Sequence, residues 1–318
     1  MQRELKLLSG RAHGELAQAI ARELSTNLAQ LELSDFANGE VSAKIKESVR
    51  GDDVFVLQSH AGDVNKAIIE QAIIIDAAKR ASASSITAVS PFLSYGRQDR
   101  KSGGREPISA RLMVDLLVKA GADRIVSIDL HTGQIQGFMD GPFDHLVARQ
   151  LFVDYLSQNF NHEEMVIVSP DAGRVKVAER YSNALGCEMA IVHKHRSYEV
   201  HNEVEAKHLI GNVQDKVCII IDDMIDTAGT ICAAAELIHK KGAKEIYGVA
   251  THGLFSEPAK QRINDSKFTK IITTDTLPQD KSFEKITVLS VAATIAESIK
   301  AIHSGGSVSL LFGGDNQF

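Results

Sequence analysis

Apolar residues along the chain fall into two recurring patterns. Short continuous runs occur at Asp53–Gln58, Ile86–Ser90, Arg124–Ile128, Met165–Ser169, Met189–His193, Val217–Ile221, Glu245–Ala250, Lys270–Thr273 and Ile286–Ser290. Several are unbroken Val/Ile stretches rather than in–out alternations, the mark of strands covered on both faces in a parallel sheet. Between them, Val64–Arg80, Ile108–Ala120, Gly229–Lys241 and Val291–His303 repeat their apolar positions near helical spacing. Gly121 and Gly242 each follow such a run just after a Lys, a composition that stops a helix. Strand–helix alternation over the whole length predicts an α/β fold with helices on both sheet faces.

The strand–helix order restarts near residues 145–160, and 318 residues suit two domains. The net charge of −6 argues against general nucleic-acid binding, which usually needs a basic surface, but leaves room for the few local cations that one phosphate chain requires. Cys187, Cys218 and Cys232 lack CxxC spacing and read as reduced core thiols. The N-terminus carries Arg3, Glu4 and Lys6 without a following apolar stretch, and no 18-residue apolar run exists. The expectation is a cytoplasmic chain without a membrane span.

The strongest chemical signal is Val217–Thr230. An apolar strand ends in Asp222-Asp223, and a small-residue turn, Asp226-Thr227-Ala228-Gly229-Thr230, then opens a helix. Ligands of open α/β sheets bind at the carboxyl ends of strands. A small turn at a helix start lets backbone N–H groups approach a phosphate. A helix cap at Asp226 or Thr227 would explain one of these residues, but not the adjacent acid pair. Two carboxylates suit a sugar diol.

This segment resembles the 5-phosphoribosyl-1-diphosphate loop of the phosphoribosyltransferase superfamily. Within it the chain is similar to the ribose-phosphate pyrophosphokinase family over nearly its whole length. The resemblance is carried by Ser9–His13, Asp35–Glu40, Glu47–Gly51, Tyr95–Asp99, Gly104–Ala110, Asp129–His131, Gln134–Phe138, Val168–Asp171 and Thr251–Gly253, in that order. Each is weak alone; together they are specific. The resemblance implies two phosphoribosyltransferase-like domains, each a mainly parallel sheet flanked by helices. These are an ATP-contributing domain at 1–148 and a ribose-phosphate domain at 149–303, with 304–318 packing back on the first. It also implies transfer of the diphosphoryl group of MgATP to the C1 hydroxyl of ribose 5-phosphate, giving 5-phosphoribosyl 1-diphosphate and AMP.

Other polar segments gain a reading from this frame. In the turn at 35–40, Phe36 could stack on a base while Asn38 and Glu40 read its polar edge. Without the resemblance it is a surface loop; with it, Phe36, Asn38, Gly39 and Glu40 recognise adenine in a neighbouring subunit's site. Arg97-Gln98-Asp99-Arg100-Lys101 places cationic donors after a strand, as a polyphosphate requires. The family carries Arg97 and Gln98 as ATP contacts. Asp129 and His131, two apart after a strand, suit a divalent ion. The resemblance makes His131 and Asp171 ligands of Mg²⁺, with Asp129, Asp140 and Asp144 in second rank. Lys194 and Arg196 open a polar stretch through 195–208 that reads as a mobile loop. In the family it is catalytic, Lys194 acting on the transferring diphosphoryl group and Arg196 on the sugar phosphate.

Ser48, Arg50, Arg105, Ser307 and Ser309 are hydroxyl and guanidinium groups suited to phosphate oxygens. By residue type alone they are unrelated surface positions. The family assembles them into an allosteric site between subunits, where inorganic phosphate activates and ADP inhibits, in an enzyme built of dimers joined into a homohexamer. The chain departs from the common pattern at Ala172-Gly173-Arg174-Val175, where most members carry two glycines, at Ala228, where Gly or Cys is also common, and at Ser102-Gly103-Gly104. A phosphoribosyltransferase would need the 222–230 loop but not Phe36 or Arg97-Gln98. A non-catalytic regulatory relative would carry insertions or losses around Lys194 and Arg196, which are present here.

Overall fold

The computed structural model describes residues 3–195 and 205–312, without the side chains of 194, 195 and 205–207. It divides into two compact units. The first contains β1 (Leu5–Ser9), α1 (Gly14–Glu23), β2 (Leu31–Asp35), β3 (Val41–Ile45), β4 (Asp53–Leu57), α2 (Val64–Arg80), β5 (Ser85–Ser90), α3 (Ser109–Ala120), β6 (Arg124–Ile128) and β7 (Phe143–Leu146). The second contains α4 (Arg149–Asn159), β8 (Met165–Ser169), α5 (Val175–Leu185), β9 (Glu188–His195), β10 (Glu205–Ile210), β11 (Val217–Ile225), α6 (Gly229–Lys240), β12 (Glu245–Gly253), α7 (Ala259–Asp265), β13 (Lys270–Thr274) and β14 (Ile286–Leu289). The last helix, α8 (Ala292–His303), belongs to the first unit.

The first unit is a five-stranded, all-parallel sheet in the order β1-β4-β5-β6-β7. Its β4 run, Asp-Val-Phe-Val-Leu, is buried at every position, which is why the pattern there is continuous rather than alternating. Asp63 caps α2 by accepting from the Lys66 N–H at 3.1 Å, and Gly121, at φ 134°, ends α3. Ile74, Ile75 and Ala78 of α2 pack with Val54, Val56 and Ala88 of the sheet and Val114 and Leu117 of α3. The antiparallel hairpin β2–β3 lies outside this sheet and sets Leu31, Leu33, Ala43 and Ile45 against the same core.

The sequence boundary placed α8 with the second half of the chain, whereas it clusters with the first unit. Ile295 and Ile299 on α8 are fully buried, Lys300 donates to the Glu23 carbonyl at the end of α1 at 2.8 Å, and His303 Nδ1 lies 2.9 Å from Asp53. These anchors are tertiary and have no periodic signature.

The second unit is a seven-stranded sheet in the order β10-β9-β8-β11-β12-β13-β14, parallel except for β10 against β9. Its core joins Val166 and Val168 of β8, Cys218 and Ile220 of β11, and Ile231, Ala235 and Ile238 of α6. The stretch expected as one mobile loop is in part a strand: Glu205–Ile210 forms β10, whose alternate polar side chains conceal it. Residues 196–204 lie outside the described residues. Of the three cysteines only Cys218 is fully buried; Cys187 and Cys232 are half-buried thiols. Among the described residues no helix is long and apolar enough to cross a membrane. Ile220→Ala, which removes a side chain with no exposure at the centre of the second sheet, is expected to destabilise that unit by about 2–5 kcal/mol. A lowered denaturant midpoint for its unfolding is the readout.

Candidate active site

In the second sheet the strand order reverses between β8 and β11: β9 and β10 lie to one side, β12 to β14 to the other. Ligands of open α/β sheets bind outside the carboxyl ends of strands at such a reversal. The register brings the relevant residues to this point. β11 pairs with β8 from Val217 to Ile220 only, while it runs beside β12 as far as Ile225. Past Ile220 one flank of β11 therefore lacks its β8 partner, and Asp222 and Asp223 occupy that stretch. β8 meanwhile exits through Ser169-Pro170-Asp171 into a 3-10 turn, where Asp171 accepts from the Gly173 N–H at 2.9 Å.

The acid pair is answered by Arg174. Its Nε lies 3.3 Å from Asp222 Oδ1 and its Nη2 2.6 Å from Asp223 Oδ1. The Asp223 backbone N–H also donates to Asp222 Oδ1 at 2.9 Å. Side-chain exposures of 17% for Asp222, 9% for Asp223 and 19% for Arg174 leave this charge cluster weakly screened by water. Burial first, and then the charge of Asp223, push the Asp222 carboxyl well above the ordinary carboxylate range, while Arg174 pulls it back.

The turn beyond the acids is compact. Ala228 adopts a left-handed conformation, φ 60°, and α6 starts at Gly229. Arg262 on α7 donates from Nη1 to the Thr227 carbonyl at 3.0 Å and braces the turn from below. Thr227, Gly229 and Thr230 are exposed, so their polar groups are open to a ligand. Lys194 is the penultimate residue of β9, in register with Ala206 of β10. Arg196 lies outside the described residues.

In the first unit, the connections that follow the neighbouring strands β5 and β6 meet. A Cβ built on Gly96 would come within 3.3 Å of His131 Cβ, so only a residue without a side chain fits between them without displacement. Buried Asp99 ties the two connections together, accepting from Thr132 Oγ1 at 2.6 Å and Gln134 Nε2 at 2.5 Å. His60, fully buried, accepts at Nδ1 from the Ser94 N–H at 3.2 Å and fixes the entry to the first; burial pushes its pKa down to about 4, so it stays neutral. Arg97 and Gln98 remain exposed on this frame, and Ser109 Oγ donates to Gln98 Oε1.

The other candidates occupy separate segments of the first unit. Phe36, 59% exposed, tips the β2–β3 hairpin. Its N–H donates to the Glu40 carbonyl at 2.8 Å, Asn38 Oδ1 accepts from the Glu40 N–H at 3.2 Å, and Gly39 takes φ 90°. Asp35 roots this tip: Arg11 at 2.7 Å and Lys66 at 2.6 Å hold its carboxyl down to about 2. Arg50 reaches Ser82 Oγ at 3.3 Å, its own N–H donates to Ser48 Oγ at 3.4 Å, and Arg105 sits at a turn with φ 65°. Ser307 and Ser309, 2.9 Å apart through their hydroxyls, line a cavity of about 370 Å³ with Arg124 and Asp144. Asp144 pairs in register with Val126 and its carboxylate is committed to Arg124, whereas Asp129 and His131 follow the far end of β6; Asp140 is exposed.

Comparison with known proteins identifies the family of the chain. Residues 5–121 match the N-terminal domain of ribose phosphate pyrophosphokinase, and residues 206–313 match the phosphoribosyl synthetase-associated domain. The ribose-phosphate pyrophosphokinase of Corynebacterium glutamicum is 53% identical, over 99% of this chain and 97% of its own. That of Streptomyces coelicolor is 49% identical, over 98% of this chain and 97% of its own. The crystal structure of phosphoribosylpyrophosphate synthetase from Mycobacterium smegmatis superposes with a TM-score of 0.90 at 50% identity, covering 96% of this chain and 100% of that one. The chain belongs to the ribose-phosphate pyrophosphokinase family.

Two further side chains, Arg174 and Arg262, shape the site without being motif residues. In the sequence Arg174 stands out only as a departure from the family pattern, and Arg262 does not stand out. Arg174 has a signal in the sequence: a cation in the turn after one strand, with an adjacent acid pair after another. Arg262 has none, because its partner is a backbone carbonyl.

The raised Asp222 carboxyl has a consequence for stability. Between the ordinary aspartate value of 3.8 and its folded-state value, the folded chain holds more proton than the unfolded chain, so stability falls as pH rises through that window. Asp222→Asn removes this loss. Its stability relative to wild type is expected to increase from pH 4 to pH 8, measured by urea denaturation at each pH.

Proposed function

We propose that the turn at Asp222–Thr230 holds ribose 5-phosphate and that the groups on the first unit hold MgATP. The enzyme transfers the diphosphoryl group of ATP to the C1 hydroxyl of ribose 5-phosphate, giving 5-phosphoribosyl 1-diphosphate and AMP, as its family does. The observation that carries the site reading is the acid pair beside an exposed helix-opening turn, at the reversal of the second sheet. Asp222 and Asp223 accept from the sugar 2- and 3-hydroxyls. The backbone of Asp226, Thr227, Ala228, Gly229 and Thr230 donates to the 5-phosphate, with the N-terminal dipole of α6 behind it.

Arg97 and Gln98 donate to the ATP polyphosphate, and Phe36 stacks on adenine while Asn38, Gly39 and Glu40 contact its edge. Lys194 and Arg196 act on the diphosphoryl group and the sugar phosphate. Such transfer depends on positioning and charge neutralisation more than on covalent chemistry. Asp171 after β8 carries the oxygen donor that Mg²⁺ prefers and would be its main protein ligand, with His131 after β6 a nitrogen-donor candidate carried by the family resemblance. When bound, the ion neutralises charge on the ATP phosphates.

Assembly into dimers and a homohexamer would let the exposed Phe36 tip serve a neighbouring subunit. Ser48, Arg50, Arg105, Ser307 and Ser309 would take inorganic phosphate or ADP, a reading supported by the cavity that Ser307 and Ser309 line beside Arg124.

Formation of AMP from ATP, dependent on ribose 5-phosphate, tests the reaction directly. Asp223→Asn is expected to weaken ribose 5-phosphate by about one to two decades, the worth of a charge-assisted hydrogen bond, with ATP affinity unchanged. Loss of ATP binding with sugar binding intact would reassign the loop. Lys194→Ala is expected to lower kcat at least about 100-fold with a smaller change in either KM; activity within threefold of wild type would remove Lys194 from the mechanism. Mixing Phe36→Ala with Lys194→Ala protein is expected to restore activity, because some sites then combine two intact contributions. No rescue after verified subunit exchange would mean that each chain supplies its own adenine loop.

A further inference from the structure

Arg174 occupies a position that the reaction as described does not use. It ends the short turn after β8 and precedes α5, three residues beyond Asp171. Its guanidinium spans the acid pair, with Nε on Asp222 and Nη2 on Asp223, and it engages the Oδ1 oxygen of each. A planar fork that reaches two carboxylates fixes their separation and tilt, which a point charge such as an ammonium does not. Each carboxylate has two acceptor oxygens, so engagement at Oδ1 sets the direction of Oδ2. The Asp223 N–H on Asp222 Oδ1 adds a second constraint to the first acid.

We infer that Arg174 is a positioning residue for the sugar: it orients the Asp222–Asp223 pair to accept from two vicinal hydroxyls, and so makes the site selective for a sugar phosphate that carries both. The inference rests on the assignment of the acid pair to the ribose hydroxyls. Two further features agree with it. The three side chains are each less than one-fifth exposed, so water does not compete freely for the guanidinium. In addition, two carboxylates at adjacent positions repel, and a single cation shared between them offsets part of that repulsion.

The alternative consequence of the same contact is a latch, in which Arg174 occupies the acids and the sugar must displace it. The two predict opposite signs. A positioning residue lowers the KM for ribose 5-phosphate, and its removal raises that KM; a latch raises it, and its removal lowers that KM.

The experiment measures kcat and KM for ribose 5-phosphate, for 2-deoxyribose 5-phosphate and for ATP in wild type, Arg174→Leu, Arg174→Lys and Asp223→Asn, with thermal melting of each to verify folding. Arg174→Leu is expected to raise the KM for ribose 5-phosphate about tenfold or more, leave kcat and the KM for ATP within about threefold, and shrink the kcat/KM preference for ribose over 2-deoxyribose by a similar factor. Arg174→Lys, which keeps the charge but not the fork, is expected to fall between Arg174→Leu and wild type. If Arg174→Leu does not fold, Arg174→Lys carries the test alone, since its preference must drop below that of wild type. An unchanged or lowered KM for ribose 5-phosphate, or an unchanged preference, overturns the inference. Asp223→Asn separates the two levels: if it raises the KM while the Arg174 variants do not, only the role of Arg174 fails. If Asp223→Asn also has no effect, the assignment of the acid pair to the sugar is what fails.

Discussion

Parallel strands can pair only if each returns through a crossover, and that constraint organises both units. It buries the central strands on two faces, so their sequences are continuous apolar runs, and it gathers the carboxyl ends of the parallel strands on one edge of each sheet. Whatever follows a strand is then presented at that edge. In the second unit the crossovers change direction between β8 and β11, so the connections after these two strands diverge and leave room for a ligand. The Asp171 turn and the Asp222–Thr230 turn are those connections.

Placing two carboxylates at the end of a buried strand is electrostatically unfavourable. The charged form of Asp222 is penalised by burial and by Asp223, and Arg174 offsets part of that penalty. The sheet beneath the cluster holds it in place. Ile220 and Ile221 anchor β11 in the core just before the acids, and Ile225 and Ala228 return to the core just after them. The polar residues between are held at both ends. The turn after them keeps a left-handed Ala228 because Arg262 and the start of α6 fix its backbone.

The first unit uses hydrogen bonds for the same purpose. Asp99 joins the connections after β5 and β6, His60 fixes the entry to the first of them, and Gly96 permits the close approach of His131. Arg97 and Gln98 are thereby presented from a rigid base while remaining exposed. The hairpin tip at Phe36 is held in the same way through Asp35, which two cations from α2 and the β1–α1 connection secure. In each case the exposed residue carries the proposed function and a less visible neighbour fixes its place.

The amino-acid sequence by itself determined the α/β class, nine of the strands, four of the helices and the turn at 222–230, because continuous apolar runs, helical periodicity and small-residue turns are local properties of the chain. It also determined the family, through short motifs in a fixed order. Only the tertiary structure decided the rest. Strands β2 and β3 are partly exposed and carry polar residues at alternate positions, Glu205 and Lys207 interrupt the sequence of β10, and Lys6 and Asp144-His145 break the apolar runs of β1 and β7. The place of α8 beside α1 depends on contacts between residues some 280 positions apart, such as Lys300 with Glu23. Asp144, attractive as a ligand by type, is claimed by Arg124 on the adjacent strand, a pairing set by sheet register. Arg174 and the acid pair are separated by about fifty residues and meet because β8 and β11 are neighbours. Strand order is a property of the whole unit, so no local pattern in the chain could have announced it.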